Sequence, residues 1–313
     1  MSVVLDFLRR RTLYALILLL ALFVIGVEVA RPGTVNPLWV SNVVQFAAPL
    51  AILAAGQTLV MLTGGVDLSV ASVATGAAYV LATNASAGDV VAIAAGLSLG
   101  LVVGIVNGIG VALLRVQPLV MTLGTGLMTG GVMIVYSQHM MASEPRVPDI
   151  IRELGSGKLF GLVPINLFPW AALSAIILFG LHRTGFGRLL YAVGDNREAC
   201  HLSGIRVWRV LFFNYVLCSL LAAIAGLLLV GGTNAADLGL ADGLLLPSVA
   251  AVVIGGTSIF GGRGGYGGAI VGALILTVLT SLLTLLDVSE PLKQILYGAI
   301  ILVLAAAYAR LTE

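Results

Sequence analysis

The chain has 313 residues, of which 59% are apolar and only 10% are charged. Soluble globular domains have about 45–50% apolar and about 25% charged residues, so a water-soluble globular protein is excluded. The net charge of +2 is too small to predict binding to nucleic acid. The composition therefore predicts an integral membrane protein, with the lipid bilayer as its main solvent.

The N-terminal segment imitates a secretory signal peptide, because three arginines at residues 9–11 precede the apolar run 13–27. The run is followed by Glu28-Val29-Ala30, and the acidic residue breaks the small-x-small pattern of a cleavage site. We therefore expect this run to be a first, uncleaved membrane span.

Apolar runs of about 20 residues, the length that crosses a bilayer core, recur along the rest of the chain. They predict an all-α, polytopic membrane protein with about ten transmembrane helices in a single domain, residues 1–313. Glycines at the 63–65 break leave open whether the flanking runs form two spans or one broken helix. The runs start near Leu13, Asn42, Val66, Val90, Pro118, Leu162, Trp208, Leu244, Tyr266 and Pro291.

The distribution of charge predicts that both termini lie in the cytosol. In that orientation most of the 16 lysines and arginines are cytosolic and most acidic residues are outside, as expected for loops of membrane proteins. The polar segment 182–209 is then cytosolic and the segment 138–161 is external. The external segment carries both signs of charge with Pro145 and Pro148, and is either a solvated loop or a docking surface for a binding protein.

The segment 182–209 contains the signals of a short, capped helix. Asp195 or Asn196 can cap its first turn, and Glu198 lies near its positive end. Ser203 and Gly204 can end it. A rigid helix on the cytosolic side of a membrane protein is the form expected of a docking element.

The same segment resembles that of a known family. Glu198-Ala199-Cys200, followed by Gly204, is similar to the E-A-A-x-x-x-G loop of bacterial ATP-binding-cassette (ABC) importer permeases. Further stretches resemble the ribose-type sugar permeases of that family, and they are 184–188 (TGFGR), 191–196 (YAVGDN), 64–70 (GGVDLSV) and 250–262 (AAVVIGGTSIFGG).

The likeness covers about residues 40–305, with some departures. Cys200 replaces the second Ala of the triplet, Ala71 stands where relatives usually have Gly, and residues 244–248 (LLLPS) replace a usual acidic segment.

The resemblance implies a permease subunit of an ABC importer in the bacterial inner membrane, translocating a small sugar or sugar-like solute. Its implied partners are an ATP-binding cassette subunit, a second permease copy or paralogue, and an extracytoplasmic solute-binding protein. The chain has no G-x-x-x-x-G-K-[ST] motif, so ATP is expected to bind elsewhere. As a permease subunit, the chain itself is expected to hold no cofactor or metal and to have no enzyme activity. ATP and Mg²⁺ are expected on the partner subunits. The residues implied to couple to the ATP-binding subunit are Gly187, Arg188, Asp195, Asn196, Glu198, Ala199 and Gly204.

Polar residues within the spans are candidates for a translocation path, because they are costly in lipid. Asp67 either caps the helix that follows it or contacts the solute. Neutral amides and hydroxyls suit a neutral polyol, although hydrogen bonds between helices are the alternative role. The candidates are Asn42, Gln57, Asp67, Asn107, Thr122, Thr125, Asn214 and Thr257.

Other functions are weighed against the same residues. An ion-coupled secondary transporter needs ionisable groups near the bilayer midplane, whereas Glu28 and Asp67 lie near predicted span ends. A membrane-embedded enzyme needs clustered catalytic side chains, and the three histidines fall in loops or at their edges. Within the ABC permeases, a nucleoside or a branched-chain amino acid remains the alternative cargo. Cys200 and Cys218 have no metal-site spacing and are expected to be inert thiols.

Overall fold

The computed structural model describes residues 12–139 and 146–312, with side chains for 13–139 and 146–303. The arginines at 9–11 and Pro145 therefore lie outside the described residues.

The first half contains α1 (Thr12–Ala30), α2 (Pro37–Leu62), α3 (Val70–Thr83), a 3-10 turn (Ala85–Ala87), α4 (Asp89–Ala112) and α5 (Pro118–His139). The second half begins with α6 (Asp149–Ser156), the antiparallel strands β1 (Lys158–Leu159) and β2 (Val163–Pro164), α7 (Leu167–Arg183), α8 (Gly185–Asp195) and α9 (Arg197–Leu202). It ends with α10 (Val207–Thr233), a 3-10 turn (Asp242–Leu244), α11 (Leu245–Ile254), α12 (Tyr266–Leu285) and α13 (Glu290–Thr312).

Local sequence signals explain several helix ends. Asn36 caps α2 by accepting a hydrogen bond from the Trp39 amide at 2.9 Å, with Pro37 in the first turn. At the end of α1, the Glu28 carboxylate accepts the amides of Gly33 and Val35 at 2.7 and 2.9 Å. This acid is therefore explained by the turn that it holds between α1 and α2.

The centre of the bundle is α10, which packs against α2, α3 and α4. Four glycines spaced four residues apart line the face of α4 that contacts α10. A Cβ at Gly100 would lie 2.6 Å from the Ala223 Cβ, and one at Gly104 would lie 2.8 Å from the Val216 Cα. Small residues let membrane helices approach closely, and this stripe sets the α4–α10 contact. Its members are Gly96, Gly100, Gly104 and Gly108.

The structure confirms an all-α, polytopic membrane protein. Among the described helices, six are long and apolar enough to cross a membrane, or seven if α7 and α8, bent by 68°, form one span. α3 and α11 have 14 and 10 residues, so they are about 21 and 15 Å long, well short of a bilayer core of about 30 Å. The sequence predicted both as full spans, because apolar residues continue beyond the helix into the non-helical segment beside it. About ten spans and two cytosolic termini stay predictions.

The described part of the predicted external segment is folded rather than an open loop. α6 packs on the end of α10, where Gly155 meets Gly231. The Gln45 amide of α2 donates to the Gly155 carbonyl at 3.1 Å, and Asn166 donates to the Gln45 carbonyl at 2.8 Å. The segment is thus fixed to the end of the bundle at which α2 begins.

Candidate functional site

The segment 182–209, here called the coupling segment, is mostly helical. Its α9 is the short helix predicted from sequence, and Asn196 is its cap, accepting the Ala199 amide at 2.9 Å. Gly204 follows the helix with φ of +80°, a left-handed conformation that favours glycine. Glu198 and Ala199 are exposed, whereas Cys200 is buried. The side of α9 with Cys200 therefore packs against the bundle, and the side with Glu198 and Ala199 is exposed.

α8 was not predicted as a helix. Thr184 caps it, accepting the Gly187 amide at 3.3 Å, and it buries Leu190 and Val193 on one face. Gly187 is buried where α8 bends away from α7, against the main chain of Leu181. Arg188, Asp195 and Asn196 are exposed with the residues of α9.

Two interruptions of the apolar helices lie against α8 and α9. The first break, residues 63–69, joins α2 to α3, and the second break, residues 255–265, joins α11 to α12. The Gly262 amide donates to the Leu62 carbonyl at 3.0 Å, which ties the second break to the start of the first. The Tyr191 hydroxyl of α8 donates to the Gly264 carbonyl at 2.9 Å.

The C-terminal end of α8 packs against both breaks. A Cβ on Gly194 would overlap the Leu62 carbonyl oxygen and lie 2.6 Å from the Gly262 amide nitrogen. The Arg197 guanidinium, in the first turn of α9, donates to the Thr63 carbonyl at 2.5 Å. The coupling segment therefore contacts the main chain of both breaks directly.

Buried polar side chains hold the first break from inside the bundle. The Gln57 amide donates to the Asp67 carbonyl at 2.6 Å and accepts the Asp67 amide at 3.2 Å. The Asn214 amide donates to the Leu59 carbonyl at 2.9 Å and to the Thr63 hydroxyl at 3.1 Å. Main-chain groups released where a helix breaks within a membrane must be satisfied by neighbouring groups, and these amides satisfy them.

The Asp67 carboxylate belongs to the same arrangement. Its Oδ1 accepts the amide of Ser69 at 2.8 Å and the hydroxyl of Ser69 at 2.6 Å, one turn before α3. Asp67 is fully buried, and its Oδ2 has no hydrogen-bond partner among the described residues. The helix begins at Val70, and Asp67 stabilises the turn that leads into it.

Asn107, Thr122 and Thr125 complete the network from α4 and α5. The Thr122 hydroxyl accepts the Leu68 amide at 2.9 Å. Asn107 donates to the Ser69 hydroxyl at 2.9 Å and accepts from the Thr125 hydroxyl at 2.6 Å. These predicted path residues are brought together around the first break and are buried.

The remaining candidates lie elsewhere. Thr257 is fully buried within the second break, where its hydroxyl accepts the Gly265 amide at 3.2 Å. Asn42 lies near the start of α2, about 30 Å along that helix from Leu62 by its rise per residue. The sequence thus supplied seven polar residues at the two breaks and one, Asn42, at the opposite end of the bundle.

Sequence reasoning missed Arg197, Thr63 and Ser69 as members of the site. The signal that points to them is the glycine pair inside an apolar run, because unpaired main-chain groups there require polar partners from other helices.

A groove of about 730 Å³ opens beside α9, between the α4–α5 connection and the start of α10. Three arginines, Arg115, Arg197 and Arg206, line it together with Glu198 and Trp208. No group of three or more metal-ligating side chains occurs within residues 13–139 and 146–303, and Cys200 and Cys218 are free thiols. The groove thus combines positive charge with the exposed residues of α9.

A bundle of apolar helices with two buried breaks and an exposed capped helix at one end defines a multi-pass membrane protein. The chain belongs to the family described as branched-chain amino acid transport system / permease component, whose model matches residues 39–305.

Relatives with curated names agree over most of the chain. The ribose import permease protein RbsC of Bacillus subtilis (strain 168) is 35% identical over 286 residues, 91% of this chain and 88% of that protein. RbsC of Escherichia coli (strain K12) is 37% identical over 299 residues, 94% and 91% of the two chains. The autoinducer 2 import system permease protein LsrC of Yersinia pseudotuberculosis is 32% identical over 259 residues, 81% and 72%. No solved structure matches the chain significantly. The chain is a permease component of an ABC import system and a multi-pass protein of the bacterial inner membrane.

Proposed function

We propose that this permease imports ribose or a similar small sugar, delivered by an extracytoplasmic solute-binding protein. The observation that carries the proposal is the direct contact of α8 and α9 with both breaks, through Gly194, Tyr191 and Arg197. A movement imposed on α9 reaches the interrupted helices without an intervening flexible segment.

The cargo is assigned to sugars rather than to branched-chain amino acids. The family description names those amino acids, but relatives that cover more than nine-tenths of this chain are named for ribose. The sequence of the coupling segment resembles the ribose-type permeases too. A sugar is therefore the better supported cargo.

We further propose about ten membrane crossings within a single domain, residues 1–313, with both termini and α9 in the cytosol. The short helices α3 and α11 each count as a crossing only together with the break beside it. Interrupted helices of this kind are found where transporters handle their solute.

The energy for transport comes from ATP, bound with Mg²⁺ by the two ATP-binding domains of the ATP-binding cassette partner, and this chain catalyses no reaction. The exposed face of α9 and the arginine-lined groove beside it contact such a subunit. A second permease copy or paralogue completes the complex. Within this chain, the buried network of Gln57, Asp67 and Asn107 holds the first break in a fixed position relative to α9.

The test is uptake of labelled pentoses, hexoses, nucleosides and leucine by cells that express the complete transporter. We expect one sugar to accumulate, and Glu198→Arg to abolish its accumulation while the permease still reaches the membrane. Asp89→Arg, an equal charge reversal at an exposed residue outside both the coupling segment and the external segment, is the control and should transport normally. Uptake that persists without the ATP-binding subunit would contradict the ABC mechanism and favour a secondary transporter.

A further inference from the structure

A second cavity lies at the end of the bundle opposite α9. It has a volume of about 600 Å³ and is formed by the first turns of α2 and the last turns of α10 and α12, with α11 and α13. Volumes of about 300–1,000 Å³ are usual for small-molecule sites. We call it the outer cavity.

Hydroxyl groups line one wall of the outer cavity. Thr277, Thr280, Ser281 and Thr284 recur along α12 at spacings of three and four residues, which places them on one face of that helix. Thr277, Thr280 and Thr284 donate to carbonyls of their own helix, at 2.9, 2.7 and 2.7 Å. A hydroxyl that donates in this way keeps acceptor lone pairs for another partner.

Aromatic side chains and an amide surround these hydroxyls. The Trp39 indole donates to the Ser281 hydroxyl at 3.1 Å, and the Tyr297 hydroxyl lies 2.6 Å from that of Thr280. Asn42 accepts a hydrogen bond from the Lys158 ammonium at 2.7 Å, and its amide NH₂ has no partner among the described residues. The cavity therefore offers flat apolar surfaces together with free hydrogen-bonding groups.

Charge is nearly balanced around the outer cavity. Glu290 is the charged residue among its described lining residues, and it pairs with the Lys293 ammonium at 3.2 Å. Lys293 is 7% exposed and donates to the Thr284 hydroxyl at 2.9 Å as well. Neutral hydroxyls and an amide beside aromatic rings suit a ring-shaped ligand with several hydroxyl groups and no net charge.

We propose that the outer cavity receives the solute from the binding protein, and that it recognises a neutral cyclic polyol of pentose or hexose size. The inference deepens the proposed function and rests on it. The Thr280 and Ser281 hydroxyls and the Asn42 amide contact the hydroxyls of the solute, and Trp39 lies against its ring. The buried network at the first break takes no part in this initial recognition, because it lies at the end of the bundle opposite the outer cavity.

Uptake kinetics of the complete transporter test the proposal with four variants. Thr280→Val and Ser281→Ala each remove one hydroxyl and should raise the KM for ribose uptake by about three- to tenfold, since each lost hydrogen bond weakens binding by about that factor. Thr280→Ser keeps the hydroxyl and should restore the wild-type KM. Ser98→Ala removes an exposed hydroxyl on α4 that bonds only to its own helix, and should leave the KM unchanged.

A second measurement does not depend on transport. Ser281→Cys should react with a membrane-impermeant maleimide added outside, and ribose-loaded binding protein should slow the reaction. The wild-type permease is the control and should not react, because its two cysteines are buried.

The outcomes separate the two proposals. Ribose uptake with unchanged KM in Thr280→Val and Ser281→Ala, and labelling that ribose does not slow, would overturn the outer cavity as a solute site and leave sugar import standing. A complete transporter that accumulates leucine but no sugar would overturn sugar import, and the polyol assignment with it.

Discussion

The guanidinium of Arg197 donates a hydrogen bond to the main-chain carbonyl of Thr63 at 2.5 Å, although 134 residues separate them in sequence. One partner is in the first turn of the exposed helix α9, and the other is the first residue of the first break. The contact places a charged donor on a carbonyl that the end of α2 leaves outside the helical hydrogen-bond pattern.

Arg197→Gln should uncouple the permease from its ATP-binding partner. A hydrogen bond to a charged group contributes about 1.5–3 kcal/mol, so we expect sugar-stimulated ATP hydrolysis by the assembled transporter to fall by about tenfold or more. Arg31→Gln, an exposed arginine between α1 and α2, is the matched control. Equal stimulation in both variants would show that the Arg197 contact is dispensable for coupling.

Gly194→Ala should lower the stability of the permease. The added Cβ overlaps the Leu62 carbonyl, and overpacking of this kind costs about 1–3 kcal/mol. Gly185→Ala, in the same helix, adds a Cβ with no atom within 4 Å and should have little effect. Thermal unfolding of the purified protein in detergent measures both, and equal midpoints for the two variants would refute the close packing of α8 on the first break.

Asp67→Asn should retain transport, whereas Asp67→Ala should lose stability by about 1–3 kcal/mol. An asparagine oxygen can still accept the amide and hydroxyl of Ser69, which the Asp67 Oδ1 accepts now, while alanine cannot. Uptake and thermal unfolding distinguish these effects. If Asp67→Asn abolished uptake in a stably folded protein, the carboxylate would have to carry a proton or ion, as in a secondary transporter.

Gly100→Ala should separate α4 from α10. Its Cβ would lie 2.6 Å from the Ala223 Cβ and 2.8 Å from the Ser219 carbonyl, and we expect a loss of about 1–3 kcal/mol. Gly130→Ala on α5 meets no atom within 4 Å and should be neutral, or stabilising by up to about 1 kcal/mol. Thermal unfolding of the two variants checks this, and a stable Gly100→Ala protein would mean that the helices are not in this contact.

The sequence predicted the class of the protein, the positions of most helices and the cap of α9. These features depend on local patterns, namely apolar runs and an Asn followed by a short helix. α8 was missed because its buried face consists of a glycine and two apolar residues within a polar segment. The lengths of α3 and α11 were overestimated because the predicted runs extended into the adjoining breaks, where Val66, Leu68, Ile259 and Phe260 keep the sequence apolar.

The candidate site was only partly predictable for a related reason. Gln57, Asp67 and Asn107 stood out as polar residues in apolar surroundings, but the hydrogen bonds that join them to Ser69, Thr125 and the main chain of the first break depend on tertiary packing. The hydroxyls of α12 were overlooked because threonine and serine are common in membrane helices, where they usually bond to their own helix. Only the cavity that they line distinguishes them from such residues.

The 68° bend between α7 and α8 has a mechanical consequence. α8, about 16 Å long by its 11 residues, leaves the direction of α7 and runs to the two breaks at a steep angle to it. Under the proposed coupling, a movement of α9 would therefore reach the two breaks across the direction of α7 and not along it. Because Tyr191 and Arg197 hold the coupling segment to the two breaks, such a movement would slide one break past the other, in a shear, and would not displace the helices along their axes.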